Sequence, residues 1–147
     1  MHNYKKKGSG IKPEGTPYRV LVIDDSAFIV KQLRKILTSE GFEIADVAED
    51  GIQGYEKFKE LHETIDLVTL DITMPNQDGV STLEKIFEVD KDAKVIMISA
   101  LGMEDVVKKC LLMGVKNYIK KPLDRDKVLE RVISVLRKTP QTQPDSD

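Results

Sequence analysis

The sequence predicts an α/β fold: a doubly wound, five-stranded parallel sheet with helices on both faces. Three observations carry that prediction. Short apolar runs alternate with stretches of helical spacing through residues 18–138. Several of these runs are β-branched and close to continuously apolar, as strands buried on both faces of a parallel sheet must be. Each gap between runs is long enough for a helix, and right-handed helical crossovers between parallel strands place helices on both sides.

Taken in order, Met1–Pro17 holds three glycines and two prolines among polar residues. It shows no periodicity and reads as a flexible N-terminal tail. The first run is Arg19–Asp24 (RVLVID). Ile29, Leu33, Ile36 and Leu37 follow at helical spacing, and Gly41 supplies the stop. The second run, Glu43–Ala48, precedes a helix over Gly51–Leu61. The third, Asp66–Asp71, precedes one over Val80–Val89. The fourth, Lys94–Ser99, precedes one over Glu104–Met113, with Gly114 ending it. The fifth run, Lys116–Ile119, leads to Leu129, Val132, Ile133 and Leu136, again one face of a helix. The polar stretch 139–147 reads as a C-terminal tail. A single domain of (βα)₅ design over 18–138 is the expectation.

Composition narrows the function. Hydrophobic residues make up 40 % of the 147, enough for one core. The apolar runs fall far short of the ~20 residues a membrane span needs, and no signal peptide is visible. A net charge of −2 lacks the basic excess of a nucleic-acid binder, and Lys5–Lys7 is too short to change that. The lone Cys110 rules out an internal disulfide and fits a reducing, cytoplasmic setting.

In an open α/β sheet, ligands bind beyond the carboxyl ends of the strands. The first run ends in Asp24 and Asp25, the third in Asp71, the fourth in Ser99, and the fifth enters Lys120-Lys121-Pro122. One edge thus collects three carboxylates, a hydroxyl and an ammonium. Two like charges ~4 Å apart cost about 4 kcal/mol at an effective dielectric near 20. A bound cation, a protonated acid or the nearby lysine has to offset that cost. Hard oxygen ligands at an open edge suit Mg²⁺. Zinc suits them poorly, since His2, His62 and Cys110 lie elsewhere. Singly, Asp25 or Ser26 could be a helix N-cap, Ser99 a loop hydroxyl and Lys121 a surface lysine. Their joint placement favours a site.

DDSAF (24–28), LDITMPNQDG (70–79), ISA (98–100) and KKP (120–122) resemble the motif regions of the response-regulator receiver family, a similarity running from Arg19 to Arg137. The resemblance implies a flavodoxin-like strand order of 2-1-3-4-5, an arrangement for which a chemotaxis member of this family is a standard example. It implies that Asp71 is the phosphoacceptor. Asp24, Asp25 and Asp71, with the Thr73 backbone carbonyl, would hold Mg²⁺. Ser99 would contact a phosphoryl oxygen, Lys121 would pair with the phosphate, and Tyr118 would be the aromatic switch. The Lys121–Pro122 bond would be cis. The face of the fourth helix, fifth strand and fifth helix would meet partners, with Lys108, Lys109, Lys116, Lys120 and Arg125 making it basic.

The implied function is a single-domain response regulator, a switch and not an enzyme, that catalyses only its own phosphorylation and dephosphorylation at Asp71. A histidine kinase would be the phosphodonor, and a phosphatase would be a further partner. Ala27, Phe28, the TMPNQDG loop and Tyr118 most resemble chemotaxis receivers that bind the flagellar motor switch protein. With some ten polar residues after the receiver region, output would be protein binding. The in-family rival is a phosphorelay intermediate that passes phosphate to a histidine phosphotransfer domain. A flavodoxin-like flavin carrier would share the fold, but Asp24-Asp25 would repel its phosphate. A Mg²⁺-dependent phosphoaspartate phosphatase would place its nucleophile on the first strand, with a second Asp two residues on.

Overall fold

The five runs form strands β1 (Arg19–Ile23), β2 (Glu43–Ala48), β3 (Leu67–Asp71), β4 (Val95–Ser99) and β5 (Asn117–Lys120). Every pairing between them is parallel, in the order β2-β1-β3-β4-β5, as expected. The computed structural model describes residues 8–73 and 78–137. The helices are α1 (Ala27–Thr38), α2 (Gly51–Leu61), α3 (Gly79–Val89), α4 (Glu104–Met113) and α5 (Arg125–Leu136). A 3₁₀ turn, His62–Thr64, was not foreseen.

Local chemistry explains most boundaries. Ser26, Asp50, Asp78 and Asp124 each accept, through the side chain, a backbone N–H three residues on, capping α1, α2, α3 and α5. Asp124 therefore starts α5 four residues before the Leu129 periodicity suggests. Helix α4 has no side-chain cap. Glu104 and Asp105 complement its N-terminal dipole instead, and Gly114, at φ 119°, ends it in a left-handed turn.

Alternation along the strands sends side chains to two cores. On one face Leu21, Ile23, Val68, Leu70 and Met97 pack under α2, α3 and α4, against Phe58, Leu83, Ile86 and Cys110. On the other, Val20, Val22, Leu67, Ile96 and Ile98 meet Leu33 and Leu37 of α1 and Val128, Val132 and Leu136 of α5. Every residue of β3 and β4 is buried, which is why those runs read as apolar on both faces. Among the described residues, no helix is long and apolar enough to cross a membrane.

The expected N-terminal tail needs correction from Gly8 onward. Residues 8–17 form a turn closed by an antiparallel bridge between Ile11 and Pro17. Gly10 N–H donates to the Glu40 carbonyl (2.8 Å) and Tyr18 N–H to the Gly10 carbonyl (2.8 Å). Glu40 Oε1 accepts from the amide and hydroxyl of Ser9, and Arg137 donates to the Ser9 carbonyl. Backbone groups and a carboxylate dock this segment, so hydrophobic periodicity gave no sign of it. Gly10 fits only because it lacks a side chain: a Cβ there would lie 2.4 Å from the Phe42 nitrogen. Gly10→Ala is expected to lower stability by about 1–3 kcal/mol in urea titration. An unchanged midpoint would mean the segment is undocked in solution. Residues 1–7 and the expected tail 139–147 lie outside the described residues.

Candidate functional site

Strand β1 stops at Ile23, and Asp24 follows it directly, buried to 1 % exposure. Its amide is held by the Ala48 carbonyl at 2.9 Å. Asp24 Oδ1 accepts the Ser26 N–H at 2.9 Å, while the buried Oδ2 has no hydrogen-bond partner among the described residues. Asp71, the last residue of β3, is equally buried. Asp25 is exposed beside them. The three carboxylates each offer an oxygen, all within 4.8 Å of one another. Ser99 closes β4 at 2 % exposure, one residue past Ile98, which stands opposite Asp71 in the β3–β4 register.

Lys121, just beyond β5, reaches Asp71 Oδ2 with its Nζ at 3.4 Å. Its amide donates to the Ser99 carbonyl at 2.8 Å, tying the lysine to the end of β4. The Lys121–Pro122 bond is cis. Thr73 enters the site in a way the sequence did not suggest. Its amide (2.9 Å) and its hydroxyl (2.7 Å) both donate to Asp71 Oδ1. The loop residues 74–77, part of the LDITMPNQDG motif, lie outside the described residues.

Burial pushes the Asp24 carboxyl up from its ordinary 3.8 to about 6, and the charges of Asp71 and Asp25 add to that; the Ser26 N–H and Lys121 pull the other way. A buried carboxylate with one orphaned oxygen, within reach of two further acids and one lysine, is short of counter-charge. A hard divalent cation with oxygen ligands fits that donor set, and nitrogen- or sulfur-seeking metals do not.

Tyr118 is half-buried on β5, with the Arg131 guanidinium 5.2 Å from its ring centroid. It shares with Ser99, Ala100, Val107 and Leu111 the wall of a cleft of about 210 Å³. Lys108, Lys116 and Lys120 are exposed. Lys109 departs from the basic-face reading: it is exposed but lines a cleft with Ile72, Asp78 and Glu84 on the α3 side of α4. Arg125 departs from that reading too: its Nη2 lies 3.1 Å from Glu40 Oε2 and 3.0 Å from Ser39 Oγ, so its charge is paired toward α1. The amide of Ser9 and this guanidinium hold the Glu40 carboxyl below its ordinary range.

Known proteins match this arrangement closely. Residues 20–133 match the response regulator receiver domain model, spanning all five strands and most of α5. The chain is 64 % identical over 129 residues to the chemotaxis protein CheY of Treponema pallidum, covering 88 % of this chain and 90 % of that one. It is 42 % identical over 119 residues to the chemotaxis protein CheY of Bacillus subtilis, covering 81 % of this chain and 98 % of the relative. The solved CheX-CheY-BeF3-Mg+2 complex from Borrelia burgdorferi contains a chain similar to it, with a TM-score of 0.85, 57 % identity, and 88 % and 97 % coverage. Fold, strand-end acids and relatives agree, and the chain belongs to the response regulator receiver family.

Proposed function

We propose that this chain is a chemotaxis response regulator that accepts a phosphoryl group on Asp71 from a histidine kinase and signals by phosphorylation-dependent protein binding. The observation that carries the reading is the junction of three carboxylate oxygens within 4.8 Å with a lysine ammonium 3.4 Å from the middle strand's acid. A structural ion pair would need one acid, not three. In the reaction an Asp71 oxygen attacks phosphorus as the P–N bond of phosphohistidine breaks, and the imidazole leaves with the electron pair. Asp24, Asp25, Asp71 and the Thr73 carbonyl would hold Mg²⁺, which supplies charge neutralisation between the carboxylate and the incoming phosphoryl oxygens.

The protein's own groups do the rest. Lys121 sits against Asp71 Oδ2 as a fixed point charge for the phosphoryl group. Ser99, at the end of the adjacent strand, donates its hydroxyl to a phosphoryl oxygen. The product is an acyl phosphate, open to water, so the signal decays. Engagement of Ser99 draws in the loop after β4, and the Tyr118 ring turns into the cleft that it shares with Ser99. That alters the face of α4, β5 and α5, whose exposed lysines suit an acidic partner segment. The flagellar motor switch protein is the target in this reading, with a phosphatase as a further partner. The Borrelia neighbour was solved in a complex with CheX, which supports binding of a further protein partner. In this reading the chain acts in the cytoplasm.

Incubation with acetyl phosphate, read by intact mass, tests the reading. One phosphoryl group should appear with Mg²⁺ and none after chelation. No gain under either condition would remove it.

A further inference from the structure

We propose that the Thr73 hydroxyl latches the resting acceptor and must turn away before Asp71 can receive a phosphoryl group. Asp71 Oδ1 accepts two donors from Thr73, the amide at 2.9 Å and the hydroxyl at 2.7 Å. Asp71 Oδ2 faces the Lys121 ammonium at 3.4 Å. A carboxylate oxygen offers about two in-plane lone pairs, and at Oδ1 the two Thr73 donors take both.

The transfer needs both oxygens of Asp71. One forms the bond to phosphorus as the P–O bond of an acyl phosphate breaks and a carboxylate leaves with the bonding pair. The other must turn a lone pair to the cation held with Asp24 and Asp25. Oδ1 has to fill one of these roles, and neither is open while both of its lone pairs are engaged. The amide is fixed by the chain that follows β3. The hydroxyl is not: Thr73 is exposed, and rotation about χ1 moves it into water. The hydroxyl is therefore the removable donor, and Thr73 is a positioning residue that sets how ready Asp71 is.

This inference rests on Asp71 being the acceptor, and two readouts separate the claims. Thr73→Val keeps side-chain shape and removes the donor; Thr73→Ser keeps the donor. All variants retain the backbone carbonyl. Titration with Mg²⁺ alone, by calorimetry, should show Thr73→Val binding roughly 3–10-fold tighter than the parent. Labelling by acetyl phosphate at saturating Mg²⁺ should be accelerated by a similar factor, while Thr73→Ser stays within about twofold of the parent in both. A Thr73→Val protein that binds Mg²⁺ no more tightly, or a Thr73→Ser protein that behaves like Thr73→Val, overturns the latch. Labelling absent from the parent as well would instead sink the acceptor reading, with the Mg²⁺ titration still deciding the latch.

Discussion

Asparagine in place of Asp71 is expected to end phosphoryl acceptance while leaving the sheet intact. The amide oxygen can still accept the Thr73 donors that meet Oδ1. At the Oδ2 position an NH₂ group would face the Lys121 ammonium, which the carboxylate now meets at 3.4 Å. An amide has neither the charge nor the nucleophilic lone pair to attack phosphorus. Intact mass after acetyl phosphate and Mg²⁺ should therefore show one added phosphoryl group in the parent and no detectable gain in Asp71→Asn. Removing one of three clustered negative charges should also raise the stability of the metal-free protein, by about 1 kcal/mol in urea titration. Equal labelling of the two proteins would move the acceptor elsewhere.

The second large effect belongs to Asp24. Its carboxyl titrates near 6, pushed up chiefly by burial and then by the charges of Asp71 and Asp25. A folded-state value above the unfolded 3.8 means that the neutral acid is favoured by folding. The stability it contributes is complete below about 3.8 and is lost as pH rises through 6. At about 1.4 kcal/mol per pH unit, the metal-free protein above pH 6 carries a penalty of about 3 kcal/mol for keeping Asp24 ionised. Asp24→Asn should remove much of that penalty. Its unfolding midpoint at pH 8, without Mg²⁺, should exceed the parent's. The same change should weaken Mg²⁺ binding by roughly 100-fold, since a buried charged ligand becomes neutral. In the parent, Mg²⁺ affinity should fall by about tenfold per unit as pH drops below 6, because a proton and the cation compete for the Asp24 carboxylate. Calorimetric titrations at several pH values read both effects. A pH-independent affinity, or a destabilised Asp24→Asn, would show that Asp24 is a structural acid.

Most of the fold was legible because the runs that became β3 and β4 are buried on both faces, and burial on both faces leaves an unbroken apolar signature. The limits of α2 and α4 were readable to the residue: Asp50 caps the former, and Gly114 breaks the latter in a conformation that favours glycine. The 3₁₀ turn at His62–Thr64 was not readable, since three residues show no period. The docking of Gly8–Pro17 rests on backbone bonds to Glu40 and on one missing Cβ at Gly10, neither of which leaves a pattern in hydropathy.

The acids of the site were visible because each follows or ends a strand, and strand ends share an edge in a parallel sheet. Two contacts were beyond reach. The Thr73 hydroxyl bond depends on a rotamer, and the Arg125–Glu40 pair joins residues 85 apart in the chain. The family resemblance implies a backbone metal ligand in the first case and a charge on the partner face in the second.

A crystal structure of the chain grown with Mg²⁺ and trifluoroberyllate, a phosphoryl mimic, tests the shared acid site most directly. The result expected is beryllium bonded to an Asp71 oxygen, with Mg²⁺ between Asp24 and Asp71 and the Thr73 hydroxyl turned from Oδ1. Density for the mimic at any other carboxylate, or a bare Asp71 still bridged to Thr73 and Lys121 with no cation beside Asp24, would contradict it.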